Sequence, residues 1–281
     1  MKQIKLEPAA ALMLQWGKEA FSGEVIDNFV NHIDLSSGKS LIEECNTICN
    51  WYNQVVVNGK RFISGYLNDL LENSSNEHLI IIPGAGKSPL ALEILTRHPE
   101  KVHKIIEIDI TGMDEKVELY YKYFPESSGK IKCITADVTS ESILAVLRTM
   151  VHEYYQDMPC IILLEGITYF LTKREIEKII TSFSSNGNKN ILMIEYLKPL
   201  REVSAGMRYI PERIFEKIKA HSGIKQISSF PPSFIEKTIT KRGGKLELKK
   251  SLCDLEKSQP GKNKHFEQPD NGWIEYEVWN I

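Results

Sequence analysis

The stretch Leu79-Ile80-Ile81-Ile82-Pro83-Gly84-Ala85-Gly86-Lys87-Ser88-Pro89 carries four apolar residues straight into a glycine turn and then into a helix start. An unbroken apolar run of this length suits a strand covered on both faces, as in a parallel sheet. The glycines let the backbone turn sharply and approach a ligand closely. Ser88 is expected to act as the N-cap hydroxyl, with Pro89 at the first helical position, where its missing N–H costs nothing.

The same alternation continues outward. Val102–Ile110, Lys130–Ala136, Cys160–Leu164 and Asn190–Tyr196 read as further strands, with helices expected near 88–98, 113–124, 139–155 and 172–184. Thr172-Lys-Arg-Glu175 spells a capping box. Parallel strands need crossover helices, so the expected fold is α/β: a doubly wound, mostly parallel seven-stranded sheet. A helix near 232–242 is followed by two alternating runs, Lys245–Leu252 and Trp273–Ile281, separated by a polar loop from about 254 to 270. With no helix between them, these runs imply an antiparallel strand at the sheet's end, near the C-terminus. Residues 1–78 lack the alternation and read as a helical lid or cap. Residues 79–281 form the α/β core, with 198–230 an insert suited to a lid.

Composition narrows the class. The 281 residues hold 35 Lys+Arg against 37 Asp+Glu, for a net charge of −2, with 42% hydrophobic residues. This excludes collagenous, disordered and low-complexity chains. No apolar run approaches a bilayer span, and Met1-Lys-Gln-Ile-Lys lacks a signal pattern. The five cysteines include no Cys-x-x-Cys pair. They read as reduced thiols of a cytoplasmic protein, with neither a disulfide framework nor a metal site. Between Lys198 and Lys264 there are 16 Lys/Arg against 7 Asp/Glu. Without interleaved aromatics this basic third reads as solvated surface, and nucleic acid is not an expected partner.

In a doubly wound sheet, ligands bind outside the C-terminal strand ends. Three uses compete for the turn at 83–88. A P-loop built on Gly86-Lys87-Ser88 would need its leading glycine at Ile81, and a dinucleotide fingerprint would need one at Pro89. The third is a class I S-adenosylmethionine site, in which the short turn passes under the methionine part of the cofactor. The strand ending in Ile106-Glu-Ile-Asp109 offers a carboxylate to a ribose diol, and Asp137 ends the next strand. A cap for the following helix is the rival reading of Asp109 and an equal one for Asp137. Glu165 ends a fully apolar strand, where a carboxylate needs a partner.

Glu165-Gly166-Ile-Thr-Tyr169-Phe-Leu171 is similar to a segment of the leucine carboxyl methyltransferase family, with one extra residue before the Leu. Pro83-Gly-Ala-Gly86 resembles that family's Leu-Gly-Ala-Gly, Ile106-Glu-Ile-Asp109 its Phe-Glu-Val-Asp, and Ala136-Asp137-Val138 its third-strand Asp-Leu. The resemblance spans roughly residues 60 to 200. It implies that Gly84, Ala85 and Gly86 lie against the methionine part of S-adenosylmethionine. Asp109 would hold the ribose, Asp137 and Val138 would meet the adenine, and Glu165 and Gly166 would lie close to the cofactor. Arg61 is similar to a family arginine that pairs with the cofactor carboxylate. Lys87 departs from the family's apolar residue and is expected to face solvent.

The implied activity is S-adenosylmethionine-dependent O-methylation of a carboxylate or hydroxyl on a small molecule or peptide, leaving S-adenosylhomocysteine. A carboxylate acceptor needs no base. For a phenol or amine, Tyr169 or Glu165 is the nearest candidate. The seven histidines read as surface or helix-face residues, and Arg201 and Arg208 as surface arginines able to clamp an anion. Two alternatives stay open: a P-loop-like nucleotide binder using Gly86-Lys87-Ser88, and a methyltransferase-fold scaffold without activity.

Overall fold

The computed structural model describes residues 3–154, 158–185, 189–222, 226–258 and 263–281. Its strands are β1 (Ile4–Lys5), β2 (Ile33–Asp34), β3 (His78–Pro83), β4 (Val102–Asp109), β5 (Ile131–Thr135), β6 (Cys160–Leu164), β7 (Ile191–Leu197), β8 (Lys245–Ser251) and β9 (Ile274–Asn280). Helices α1 (Pro8–Gly17), α2 (Glu24–Asn31), α3 (Lys39–Ile48) and α4 (Tyr52–Asn73) precede the main sheet. Within it lie α5 (Leu90–Arg97), α6 (Met113–Tyr123), α7 (Pro125–Ser128), α8 (Glu141–Thr149) and α9 (Lys173–Phe183). The last three helices are α10 (Tyr209–Ser222), α11 (Pro232–Thr240) and α12 (Leu252–Lys257).

Seven strands form one sheet in the order β5-β4-β3-β6-β7-β9-β8. From β5 to β7 all pairings are parallel, and β9 runs antiparallel to both β7 and β8. Every residue of β3, β6 and β7 is buried, which is why these strands read as apolar runs. Alternate residues of β3 serve opposite faces. Ile80 and Ile82 join the apolar cluster of α1 to α5, while Leu79 and Ile81 join that of α8, α9 and α11. Chain order reverses direction between β3 and β6, so the switch point lies at their C-terminal ends.

The N-terminal helices share one continuous apolar cluster with the sheet face. Gly59 permits a close approach, because a Cβ there would collide with the Tyr276 hydroxyl of β9. α10, from the expected insert, packs on α1 and α3.

Several sequence expectations change. The antiparallel strand is the penultimate one, between β7 and β8, where β9 gains partners on both sides and leaves polar β8 as the edge. The N-terminal region is not purely helical, since β1 and β2 make a two-residue parallel pair. α5 starts at Leu90 with Pro89 as its N-cap, and the Ser88 hydroxyl accepts from Leu90 N at 3.3 Å. The helix expected over 139–155 divides into α8 and a π-helical turn, Met150–Tyr154, and its final residue lies outside the described residues. The expected loop at 254–270 begins as α12, held by a Ser251–Asp254 capping box, and its residues 259–262 are not described. His78 is buried at the start of β3, with Nε2 2.8 Å from Ser74 Oγ.

Beneath β4 lies a fully buried ion pair. Lys116 Nζ stands 2.7 Å from Glu107 Oε1, neither side chain is exposed, and Tyr120 Oη donates to Glu107 Oε2 at 3.1 Å. Removing one member strands the other charge without water. Lys116→Met is expected to cost about 3–5 kcal/mol in urea unfolding, and adding Glu107→Leu to recover most of that loss.

Candidate functional site

The turn after β3 is tied to β4 by its backbone. Gly84 N and Ala85 N donate to Ile108 O at 2.7 and 3.1 Å, and Gly86 N donates to Asp109 Oδ2 at 2.9 Å. Gly84 has φ +71°, and a Cβ there would lie 2.8 Å from Ile167 Cβ, so no larger residue fits. Asp109 is half-buried, and among the described residues its Oδ1 receives only Thr111 N, at 3.4 Å. One carboxylate oxygen therefore fixes the turn while the other keeps most of its acceptor capacity.

On the other side of the switch point, Glu165 follows β6 and meets Lys60 of α4, whose Nζ is 2.5 Å from Glu165 Oε1. Glu195 occupies the neighbouring strand β7, where it is buried. The Tyr169 hydroxyl donates to Glu195 Oε1, and Thr168 Oγ1 donates to the Glu195 carbonyl at 2.6 Å. Burial, with the Glu165 charge beside it, pushes the Glu195 carboxyl up to about 8, against a smaller opposing pull from Lys60.

These residues surround a cavity of about 370 Å³. Gly84, Ala85, Gly86, Asp109, Glu165, Gly166 and Tyr169 all line it. Its roof is helical, with Tyr52, Val55, Val56 and Lys60 from α4, Met13 and Leu14 from α1, and Phe215 and Ile218 from α10. Three expected residues lie elsewhere. Arg61 is exposed and its guanidinium reaches Glu19 O at 3.4 Å. One helical step of about 100° turns it away from the face bearing 52, 55, 56 and 60, so Lys60, not Arg61, is the cation that α4 brings to the cavity. Asp137 is exposed, and its Oδ1 accepts from Thr139 N and Thr139 Oγ1 at 2.8 and 2.7 Å, while Val138 is packed into the sheet's other face.

Lys87 is buried, contrary to the expected solvent-facing position. Its ammonium donates to Gly112 O and pairs with Glu115 Oε2 at 3.1 Å. It staples the glycine turn to the loop after Asp109 and is not offered to a phosphate, which removes the geometric basis for the P-loop reading. Arg208 is spent on the carbonyls of Val203 and Arg201 at 2.6 and 3.2 Å, and neither arginine lines the cavity. No histidine among the described residues lines it, and those residues hold no cluster able to take a metal ion. No described helix is long and apolar enough to cross a membrane.

Glu195 also implies a pH signature. Its carboxyl stands near 8 in the fold against an ordinary 4.5, so the native state holds the extra proton between those values. Its contribution to stability is complete below about 4.5 and is lost as pH rises through about 8. Urea unfolding from pH 5 to 9 is expected to show wild type losing stability relative to Glu195→Gln as pH rises, and parallel curves would refute the shift.

No family model matches the chain, and no curated protein matches it in sequence. Solved structures do match. One is a Thermobifida fusca YX protein named provisionally as a methyltransferase, 11% identical over 99% of this chain and 95% of its own, with a TM-score of 0.64. Another is a DUF574 family protein from Streptomyces avermitilis MA-4680, 12% identical over 94% and 99%, with a TM-score of 0.60. The small RNA methyltransferase HEN1 matches 77% of this chain with 25% of its own length, at 12% identity and a TM-score of 0.50. At such identities the likeness is one of fold. The first two matches take in the N-terminal helices as well as the sheet, and the chain has the fold of class I methyltransferases.

Proposed function

We propose that this protein is an S-adenosylmethionine-dependent methyltransferase acting on an oxygen nucleophile, a carboxylate or hydroxyl, of a small molecule or peptide. The observation that carries this reading is Asp109. Its carboxylate stands at the cavity's edge, fixed through Gly86 N and with one oxygen largely free, at the switch point of a sheet in the methyltransferase order. That pairing suits the two hydroxyls of a ribose.

The remaining residues fit the rest of the cofactor. Gly84 and Ala85 leave room beside the turn for its methionine part, with Gly166 opposite. The Lys60–Glu165 pair would open to the cofactor, Lys60 meeting its carboxylate, the role first assigned to Arg61, and Glu165 its ammonium. Ala136 N donates to Asp109 O at 2.8 Å, so a ribose at Asp109 would lead the adenine along the strand ends toward Asp137 and Val138. When bound, S-adenosylmethionine supplies an electrophilic methyl group on a sulfonium. The protein's share of the work is alignment and exclusion of water, for which the apolar roof of α1, α4 and α10 is suited. Glu165 and Tyr169 stand at the reacting end. The five unpaired cysteines, four of them buried, fit a reducing compartment, and we assign the protein to the cytoplasm.

Calorimetric titration tests the reading. S-adenosylmethionine and S-adenosylhomocysteine are expected to bind with micromolar affinity. Asp109→Ala is expected to weaken both by about tenfold or more, since a hydrogen bond to a charged group contributes about 1.5–3 kcal/mol. Binding of ATP with Mg²⁺ in their place would support nucleotide chemistry, and no binding at all would leave the inactive scaffold.

A further inference from the structure

We infer that the methyl acceptor brings a neutral hydroxyl to this cavity rather than a carboxylate, and that Tyr169 and Glu195 together take up its proton. The inference rests on the methyltransferase reading above and narrows it.

The first argument is charge. Glu165 directly follows β6 and Glu195 sits on the adjacent β7, since Leu164 of β6 pairs with Ile194 of β7. The two lysines that line the cavity, among the described residues, are both engaged: Lys60 with Glu165, and Lys87 with Glu115 and Gly112 O. An acceptor carboxylate would be a further anion in a poorly solvated space where no cationic side chain among the described lining residues is left to meet it. A neutral hydroxyl carries no such penalty. The walls agree, with Phe21, Tyr52, Phe170 and Phe215 presenting ring surface, which suits an uncharged, ring-bearing molecule.

The second argument is the order of donors and acceptors. The Tyr169 hydroxyl gives its proton to Glu195 Oε1, which leaves its own lone pairs to accept from a partner. The dyad is rigidly held: Thr168 Oγ1 grips the Glu195 carbonyl, β9 pairs Glu195 with Tyr276, and the Tyr169 ring packs edge-on against Phe215 at 5.4 Å. During transfer a carbon–oxygen bond forms as the carbon–sulfur bond of the methyl donor breaks, and that bond's electron pair remains on sulfur. The acceptor's proton passes to Tyr169 Oη, and the tyrosine's own proton passes to the Glu195 carboxylate. Among the described residues, Glu165, Lys60, Tyr169, Tyr276 and Tyr52 are the titratable or charged groups facing Glu195. Transfer needs Glu195 ionised, so its rate is expected to climb with pH through about 8.

The test uses the full-length protein and two ring-matched probes, 2-naphthol and 2-naphthoate, titrated calorimetrically at pH 7 with and without saturating S-adenosylhomocysteine. The expected result is at least tenfold tighter binding of 2-naphthol, with Tyr169→Phe narrowing that preference. Equal or tighter binding of 2-naphthoate, or binding of neither probe, overturns the inference. An unchanged preference in Tyr169→Phe overturns the proton relay. If S-adenosylhomocysteine binds but 2-naphthoate is preferred, only this inference falls. If S-adenosylhomocysteine does not bind, the methyltransferase reading falls, whatever the naphthol preference.

Discussion

A carboxylate at the end of an apolar strand has lost most of its water and must find a partner within the fold. Three strands of this sheet carry such an acid at or near their C-terminal ends, Asp109 closing β4, Glu165 following β6 and Glu195 two residues before the end of β7, and each solves the problem differently. Asp109 takes the Gly86 N–H, Glu165 takes the Lys60 ammonium, and Glu195 takes the Tyr169 hydroxyl while its own proton is held more tightly. The partners come from the turn after β3, from α4 and from the segment after β6. Satisfying the three acids therefore draws the turn, the N-terminal helices and the sheet around one cavity. The same requirement leaves the cavity an acceptor-rich floor with no spare cationic side chain among the described residues.

The helical roof follows from this arrangement. α4 presents Tyr52, Val55, Val56 and Lys60 on one face, spaced as a helix spaces neighbours, and Gly59 lets that helix settle against β9. α1 and α10 complete the cover and share a single apolar cluster with the sheet. The N-terminal segment is thus part of the cavity's wall. Lys87 closes the opposite corner by binding the turn to the loop that follows Asp109.

Much of this was legible from the residues. The apolar runs marked β3, β6 and β7 within a residue or so because strands covered on both faces leave no room for polar positions. Thr172 and Glu175 announced α9 through a capping box that the structure contains. The glycine turn, Asp109 and Glu165 were singled out by their positions at strand ends and Tyr169 by the family-like segment that follows Glu165, and all four border the cavity. What escaped depended on distant contacts. The insertion of β9 between β7 and β8 is a choice among pairings that alternation alone does not encode. Glu195 lay inside an apolar strand, Ile-Leu-Met-Ile-Glu195-Tyr, and the same partner argument made for Glu165 applied to it equally. Choosing Arg61 over Lys60 followed residue type where helical phase mattered: 52, 55, 56 and 60 share a face, and 61 does not.

The central claim is that a methyl donor's ribose and amino-acid parts occupy the cavity between the glycine turn, Asp109 and Glu165. Hydrogen–deuterium exchange with and without S-adenosylmethionine tests it directly. The account predicts slower exchange confined to the backbone around 84–88, 109–112 and 165–171, together with the facing turns of α4. Protection centred elsewhere, such as the open groove along 33–43, or no change anywhere, would contradict it.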